Sequence, residues 1–273
     1  MNERIQELVK LSQYAGKHPD LVQGGGGNCS VKAGGKMLIK SSGCFLEQVR
    51  MDQGYVVIDL SSGKKIGGPG ERPSLETNFH ALLGTYVIHT HPIVVGALVC
   101  AKEGESIVRE LFPEQNSLWV PYARPGEPLA SVIQTTLNTQ ALAGDLRFFF
   151  QNHGLTVSAE TLERAIELHE QTLGVIGSYF GKNAMLGKSG LLSRIPANEY
   201  LTPDHVIYSN LSSKDLKPKE RAATVEMRTF ASTVLAMMKQ RGFTPQYLPE
   251  PEVSSLLALE SEHYRQNLLR EPQ

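Results

Sequence analysis

Apolar positions repeat with a helical period near the start of the chain, where Ile5, Leu8, Val9 and Leu11 share a face and Asn2 stands where a capping side chain is expected. The pattern stops at His18-Pro19, because a residue before proline disfavours α geometry. Past the glycine run Gly24 to Gly27 come short β-like runs at 29–31, 37–39 and 55–60. They are separated by Gly34-Gly35, Ser41 to Gly43 and Ser61 to Gly63, all of which are turn chemistry. Connections this short predict neighbouring antiparallel strands. Pro73 introduces a helical segment over 75–83, followed by a β-rich run at 86–91 and a helix over 93–102. A second unit of the same kind runs from an aromatic strand at 148–150, through Asn152-His153-Gly154 and a run at 155–157, into a long helix. That helix starts near Ala159, carries Leu162, Ile166, Leu168, Leu173 and Ile176, and ends by Gly181.

Beyond Met185 the pattern changes to loops rich in Gly, Ser and Pro, then to helical stretches over 218–240 and 251–269. Each of these opens on a proline at a plausible first helical position. The reading is an α/β chain, a mostly antiparallel sheet covered by helices, with a domain over 1–185 and a helical extension over 186–273 that packs on it or on a neighbouring subunit. With 273 residues, 41% of them hydrophobic, one substantial core is expected. Lys plus Arg number 27 and Asp plus Glu 28, so there is no broad electrostatic pull toward nucleic acid or anionic lipid, and an acidic substrate must be met locally. Cys29, Cys44 and Cys100 have no C-x-x-C spacing, which argues against a disulfide framework or a cysteine zinc site. The first residues are charged and amphipathic rather than apolar, and no stretch approaches 18 uninterrupted apolar residues. A soluble cytoplasmic protein is the expectation.

The chemistry concentrates on histidines. Residues two apart in a strand face the same side, so His89 and His91 present their imidazoles together. Such a pair would repel if protonated and needs partners if buried; spacing alone leaves a metal pair and a hydrogen-bonded core pair both open. Zinc prefers nitrogen and sulfur donors, and catalytic sites commonly use three protein ligands. His153, at the end of the aromatic strand with Gly154 allowing a sharp turn, is the candidate third. His18, His80, His169, His205 and His263 lack such spacing and read as surface or core residues.

Three segments, Gly27-Asn28-Cys29-Ser30, then Pro73-Ser74-Leu75-Glu76 with Phe79-His80, then Ile88-His89-Thr90-His91 with Gln151-Asn152-His153-Gly154-Leu155, together resemble the class II aldolase/adducin family over residues 5–182. With Gly24-Gly25-Gly26-Gly27-Asn28 and Arg124-Pro125-Gly126, the chain looks closest to rhamnulose- and fuculose-phosphate aldolase-like members. The resemblance implies an α/β/α fold with a central antiparallel sheet, a homotetramer with sites between subunits, and a zinc or other divalent ion held by His89, His91 and His153. It also implies that Glu76 is the acid/base group, and that the reaction cleaves a ketose 1-phosphate to dihydroxyacetone phosphate and an aldehyde.

Lewis-acid chelation of a carbonyl and its neighbouring hydroxyl would stabilise the enediolate of such a cleavage. By position alone Glu76 reads as a helix glutamate favoured by the dipole. Amides of the glycine turn with Gly27 and Asn28, assisted by Ser42, Gly43 and Ser74, are the expected phosphate cradle. Many phosphate-specific members have two serines before the glutamate, where this chain has Ser74-Leu75. Lys32 and Lys40 are candidates to compensate, although each also reads as a solvated strand residue. Tyr122, Tyr247 and Tyr264 are candidate proton donors that read equally as packing residues. Dehydration, epimerisation or decarboxylation of a sugar phosphate remain alternatives, as does a non-catalytic adducin-like module.

Overall fold

The computed structural model describes residues 1–140, 142, 144–181, 193–211, 216 and 218–259. Helix α1 (Asn2–Gly16) leads into β1 (Asn28–Ala33) and β2 (Lys36–Lys40), joined by a tight turn, then, after a longer connection, β3 (Tyr55–Asp59), with the short β4 (Lys65–Gly67) beyond. Then come α2 (Thr77–Leu82), β5 (Tyr86–Thr90), α3 (Ile93–Val99), α4 (Gly104–Leu111), β6 (Ser117–Val120) and α5 (Glu127–Thr139). The hairpin of β7 (Leu146–Phe150) and β8 (Gly154–Ala159) feeds α6 (Leu162–Phe180). The last described helices are α7 (Pro203–Ser209), α8 (Pro218–Arg241) and α9 (Glu250–Leu257).

The eight strands form one sheet in the order β4-β3-β2-β1-β5-β8-β7-β6. Every pair is antiparallel except β6 with β7, so the mostly antiparallel α/β reading holds. The strand period of two decides which side each residue serves. In β5, Ile88 joins a large core with Leu8 and Leu11 of α1, Leu98 of α3 and Leu168 of α6. Its neighbour Val87 points the other way, into a second core with Phe79 of α2, Leu129 and Ile133 of α5, and Phe148 and Phe150 of β7. His89 therefore lies on the Val87 side, its ring meeting Phe79 edge-on at 5.7 Å. Helices α7 and α8 contribute Tyr208, Met227, Phe230 and Val234 to the larger core.

Several local expectations need correction. Asn2 lies inside α1 and does not cap it; Met1 precedes the first turn and offers no side-chain acceptor, so the helix starts one residue earlier than a capping Asn2 allows. Strand β8 runs on to Ala159, and α6 begins after Thr161, whose hydroxyl accepts from the Arg164 amide at 3.2 Å. Helix α9 opens at Glu250 with Pro251 second. The rest of the 251–269 pattern, with His263 and Tyr264, lies outside the described residues, as does the boundary at 185. No described helix is long and apolar enough to cross a membrane.

Candidate metal centre

Sheet register assembles the centre. His89 is paired in register with Asn28 of β1 on one side and Thr156 of β8 on the other, so side chains far apart in sequence share one face. His91 follows directly after β5, and His153 lies in the three-residue turn between β7 and β8. The turn is made by Asn152, which adopts φ 52° and donates its side-chain amide to the Leu201 and Gln246 carbonyls at 2.9 and 2.7 Å. Gly154, expected to make that turn, instead permits close approach: a Cβ there would stand 2.4 Å from the Thr90 carbonyl oxygen.

The three imidazoles are buried and converge, with ligand atoms all within 4.8 Å of one another. His89 Nδ1 lies 3.1 Å from the Leu155 carbonyl and 2.9 Å from Thr156 Oγ1. His91 Nδ1 lies 2.9 Å from Asp204 Oδ2. The Leu155 carbonyl only accepts, so His89 Nδ1 carries the proton and His89 Nε2 presents a lone pair. The Nε2 atoms of His89 and His91 lie 3.0 Å apart. Tetrahedral zinc with nitrogens at its usual bond length places ligands about 3.3 Å apart, close to this separation. Burial keeps the His89 and His153 rings neutral, as metal ligation requires. It lowers the His89 pKa well below the ordinary imidazole value, helped by the neighbouring His91, and brings His153 down to about 3 despite the opposing pull of Glu76.

Glu76 occupies the residue before α2 and is 6% exposed. One carboxylate oxygen lies 3.3 Å from His89 Nε2 and the other 3.3 Å from His153 Nε2. Asn28 Nδ2 donates to Glu76 Oε2 at 2.7 Å and to Ser74 Oγ at 3.0 Å. A carboxylate spanning two imidazoles beside three converging histidines gives a donor set that fits a divalent ion.

One pocket opens over the centre, and of the residues singled out in the sequence Gly27, Asn28, Ser42, Gly43, Ser74, Glu76, His91 and His153 line it, with His89 fully buried beneath. The cradle differs from the expected one in its donors. The amides of Gly24, Gly25 and Gly26 donate to Glu226, to the Tyr208 hydroxyl and to the Gln23 carbonyl, and the Ser42 amide to the Arg72 carbonyl. Lys40, read as solvated, is 3% exposed and lines the pocket, its Nζ donating to the Gly25 carbonyl at 3.1 Å. Lys32 is also largely buried but away from the pocket, donating to the Leu83 and Gly84 carbonyls; burial lowers its pKa to about 8. Neither Tyr122, bonded to Glu252, nor Tyr247, packed on the large core, reaches the pocket. His80, His169 and His205 are structural, bonded to Ser30, to Tyr14 and Thr90, and to the Leu201 amide. Two participants escaped the sequence reading, Asp204 and Thr156; no motif marks either.

Comparison with known proteins agrees with this architecture. The Class II Aldolase and Adducin N-terminal domain pattern matches residues 6–173. A Bacillus subtilis (strain 168) protein named uncharacterized oxidoreductase YuxG is 28% identical over 201 residues, 63% of this chain. The match spans only 28% of that protein's length. The N-terminal class II aldolase domain of a conserved Thermoplasma acidophilum protein superposes with TM-score 0.54 at 23% identity, covering 64% of this chain and 92% of that one. A structure of L-fuculose 1-phosphate aldolase gives TM-score 0.51 at 22% identity, covering 71% and 91%. These solved structures share the fold, and the pattern covers more than half of the chain: it belongs to the class II aldolase and adducin family.

Proposed function

We propose that the chain is a zinc-dependent lyase that cleaves a ketose 1-phosphate into dihydroxyacetone phosphate and an aldehyde. The observation carrying this reading is the convergence of the buried His89, His91 and His153 nitrogens, with the Nε2 atoms of His89 and His91 3.0 Å apart and the Glu76 carboxylate against the same cluster and the pocket mouth. A divalent ion held by His89, His91 and His153 supplies Lewis acidity toward a carbonyl and an adjacent hydroxyl.

Glu76 carries protons between the substrate hydroxyl and the carbon released by bond cleavage, and its two oxygens face the cluster where that carbon would lie. The Asn28 amide holds the carboxylate in place while also bonding Ser74. Gly27, Asn28, Ser42, Gly43 and Ser74 border the side of the pocket assigned to phosphate, and Lys40 brings a cation to it. That cation offsets the hydroxyl replaced by Leu75, which also lines the pocket. In this reading the enzyme works as a cytoplasmic homo-oligomer on small sugar phosphates.

The test is metal analysis of protein purified without chelator, together with a coupled assay for dihydroxyacetone phosphate over a panel of ketose phosphates. Stoichiometric zinc with metal-dependent release is the expected result; metal-free protein with unchanged activity overturns it. Product masses distinguish cleavage, which splits the carbon skeleton, from dehydration, epimerisation or decarboxylation at the same centre.

A further inference from the structure

We infer that Asp204, on α7, is a positioning residue for the metal centre, holding the His91 imidazole so that Nε2 faces the ion; this rests on reading the histidine cluster as a metal site. Asp204 is 6% exposed and its Oδ2 lies 2.9 Å from His91 Nδ1. As a close charge contact, a carboxylate at that nitrogen favours the proton there, biases the ring plane and strengthens the other nitrogen as a donor to metal.

The contact is built, because the surroundings are shaped to admit it. A Cβ at Gly26 would stand 2.5 Å from Asp204 Oδ2 and 3.0 Å from His91 Nδ1, so the absence of a side chain there lets the two groups meet. The entry to α7 is fixed by Thr202, whose hydroxyl accepts from the His205 amide at 3.2 Å, and by Pro203 in the first turn. It is also tied to the rest of the centre at two further points. Asn152, beside His153, donates to the Leu201 carbonyl at 2.9 Å, and the Tyr208 hydroxyl accepts from the Gly25 amide at 2.8 Å. One short helix thus braces the His91 ring, the His153 turn and the glycine loop.

Asp204→Ala, Asp204→Asn and Gly26→Ala variants of this chain are compared with wild type by competition of zinc against a chelator and by the visible spectrum of the cobalt(II) form. Asp204→Ala is expected to weaken metal binding roughly 10–100-fold and to alter the cobalt spectrum. Asp204→Asn keeps an oxygen acceptor and falls between it and wild type. Gly26→Ala reaches the same contact from the other side, lowers affinity similarly, and carries the test if Asp204→Ala fails to fold. A thermal midpoint of the metal-free Asp204→Asn chain equal to wild type, with reduced affinity, separates positioning from folding. Wild-type affinity in all three variants overturns the role of Asp204 alone; a wild-type chain that takes up no ion overturns the metal reading and this role together.

Discussion

Replacing Gly154 with alanine pits two effects of opposite sign against each other. Its φ is not among the left-handed values, so alanine fits the local backbone, and strand propensity alone favours the change by about 0.5–1 kcal/mol. Packing opposes it. The added Cβ would sit 2.4 Å from the Thr90 carbonyl oxygen, about 1 Å short of the 3.4 Å of ordinary contact, and 2.8 Å from His91 Cδ2, about 0.6 Å short. The Thr90 oxygen is backbone between paired strands and cannot rotate away, so β5 and β8 must part. Overpacking of this kind costs about 1–3 kcal/mol, or roughly 2–4 °C of thermal midpoint per kcal/mol in a domain of this size. The displacement falls on His91, where an error near 1 Å lowers activity about 100-fold. Scanning calorimetry of the metal-free chain reads the first effect, and cobalt titration with the cleavage assay reads the second. A midpoint equal to or above wild type, with undiminished cobalt affinity, refutes the close-approach argument.

Removing His89 as His89→Ala should abolish metal uptake, measured by elemental analysis after dialysis, while leaving the circular dichroism spectrum of a folded α/β chain. Asn28→Ala removes a hydrogen bond to the buried Glu76 carboxylate; such charge-assisted bonds contribute about 1.5–3 kcal/mol, so kcat/KM should fall about 10–150-fold with metal content unchanged. His169 is buried between Tyr14 and Thr90, and burial lowers its pKa to about 3 from an unfolded value near 6.5. A depressed imidazole favours the native state fully above pH 6.5 and progressively less as pH falls toward 3. Its share of the stability lost between pH 7 and 5 is about 2 kcal/mol. Urea unfolding at both pH values should show a correspondingly flatter dependence for His169→Gln; identical slopes would rule out a neutral buried His169.

The readable part of the fold was the part governed by local chemistry. Short β-like runs beside turn residues located β1, β2 and β3, and helical spacing located α1, α6 and α8, because each carries its apolar residues close together in sequence. Strands β4 and β6 and helices α4, α5 and α7 went unread: β4 and β6 are three and four residues long, and α7 is a seven-residue helix whose residues are mostly buried, so none of these three sets a readable period. At the centre, the H-x-H spacing and family motif brought out the three histidines and Glu76. Lys40 looked solvated because a lysine's sequence context does not reveal which side of a strand closes over it. Asp204 had no local mark at all, since its partnership with His91 depends on tertiary packing of α7 and on the space left by Gly26.

The distance along the chain between the histidines and α7 has a consequence during synthesis. All three imidazoles have left the peptidyl-transfer centre once residue 153 is added, whereas Asp204 follows about fifty residues later, a delay of roughly 3–10 s at ordinary elongation rates. Throughout that interval the nascent chain has its nitrogen donors without the carboxylate that orients one of them. On the metal reading proposed above, the His91 ring gains its Asp204 contact only once α7 has docked, later than the point at which all three histidines have been made.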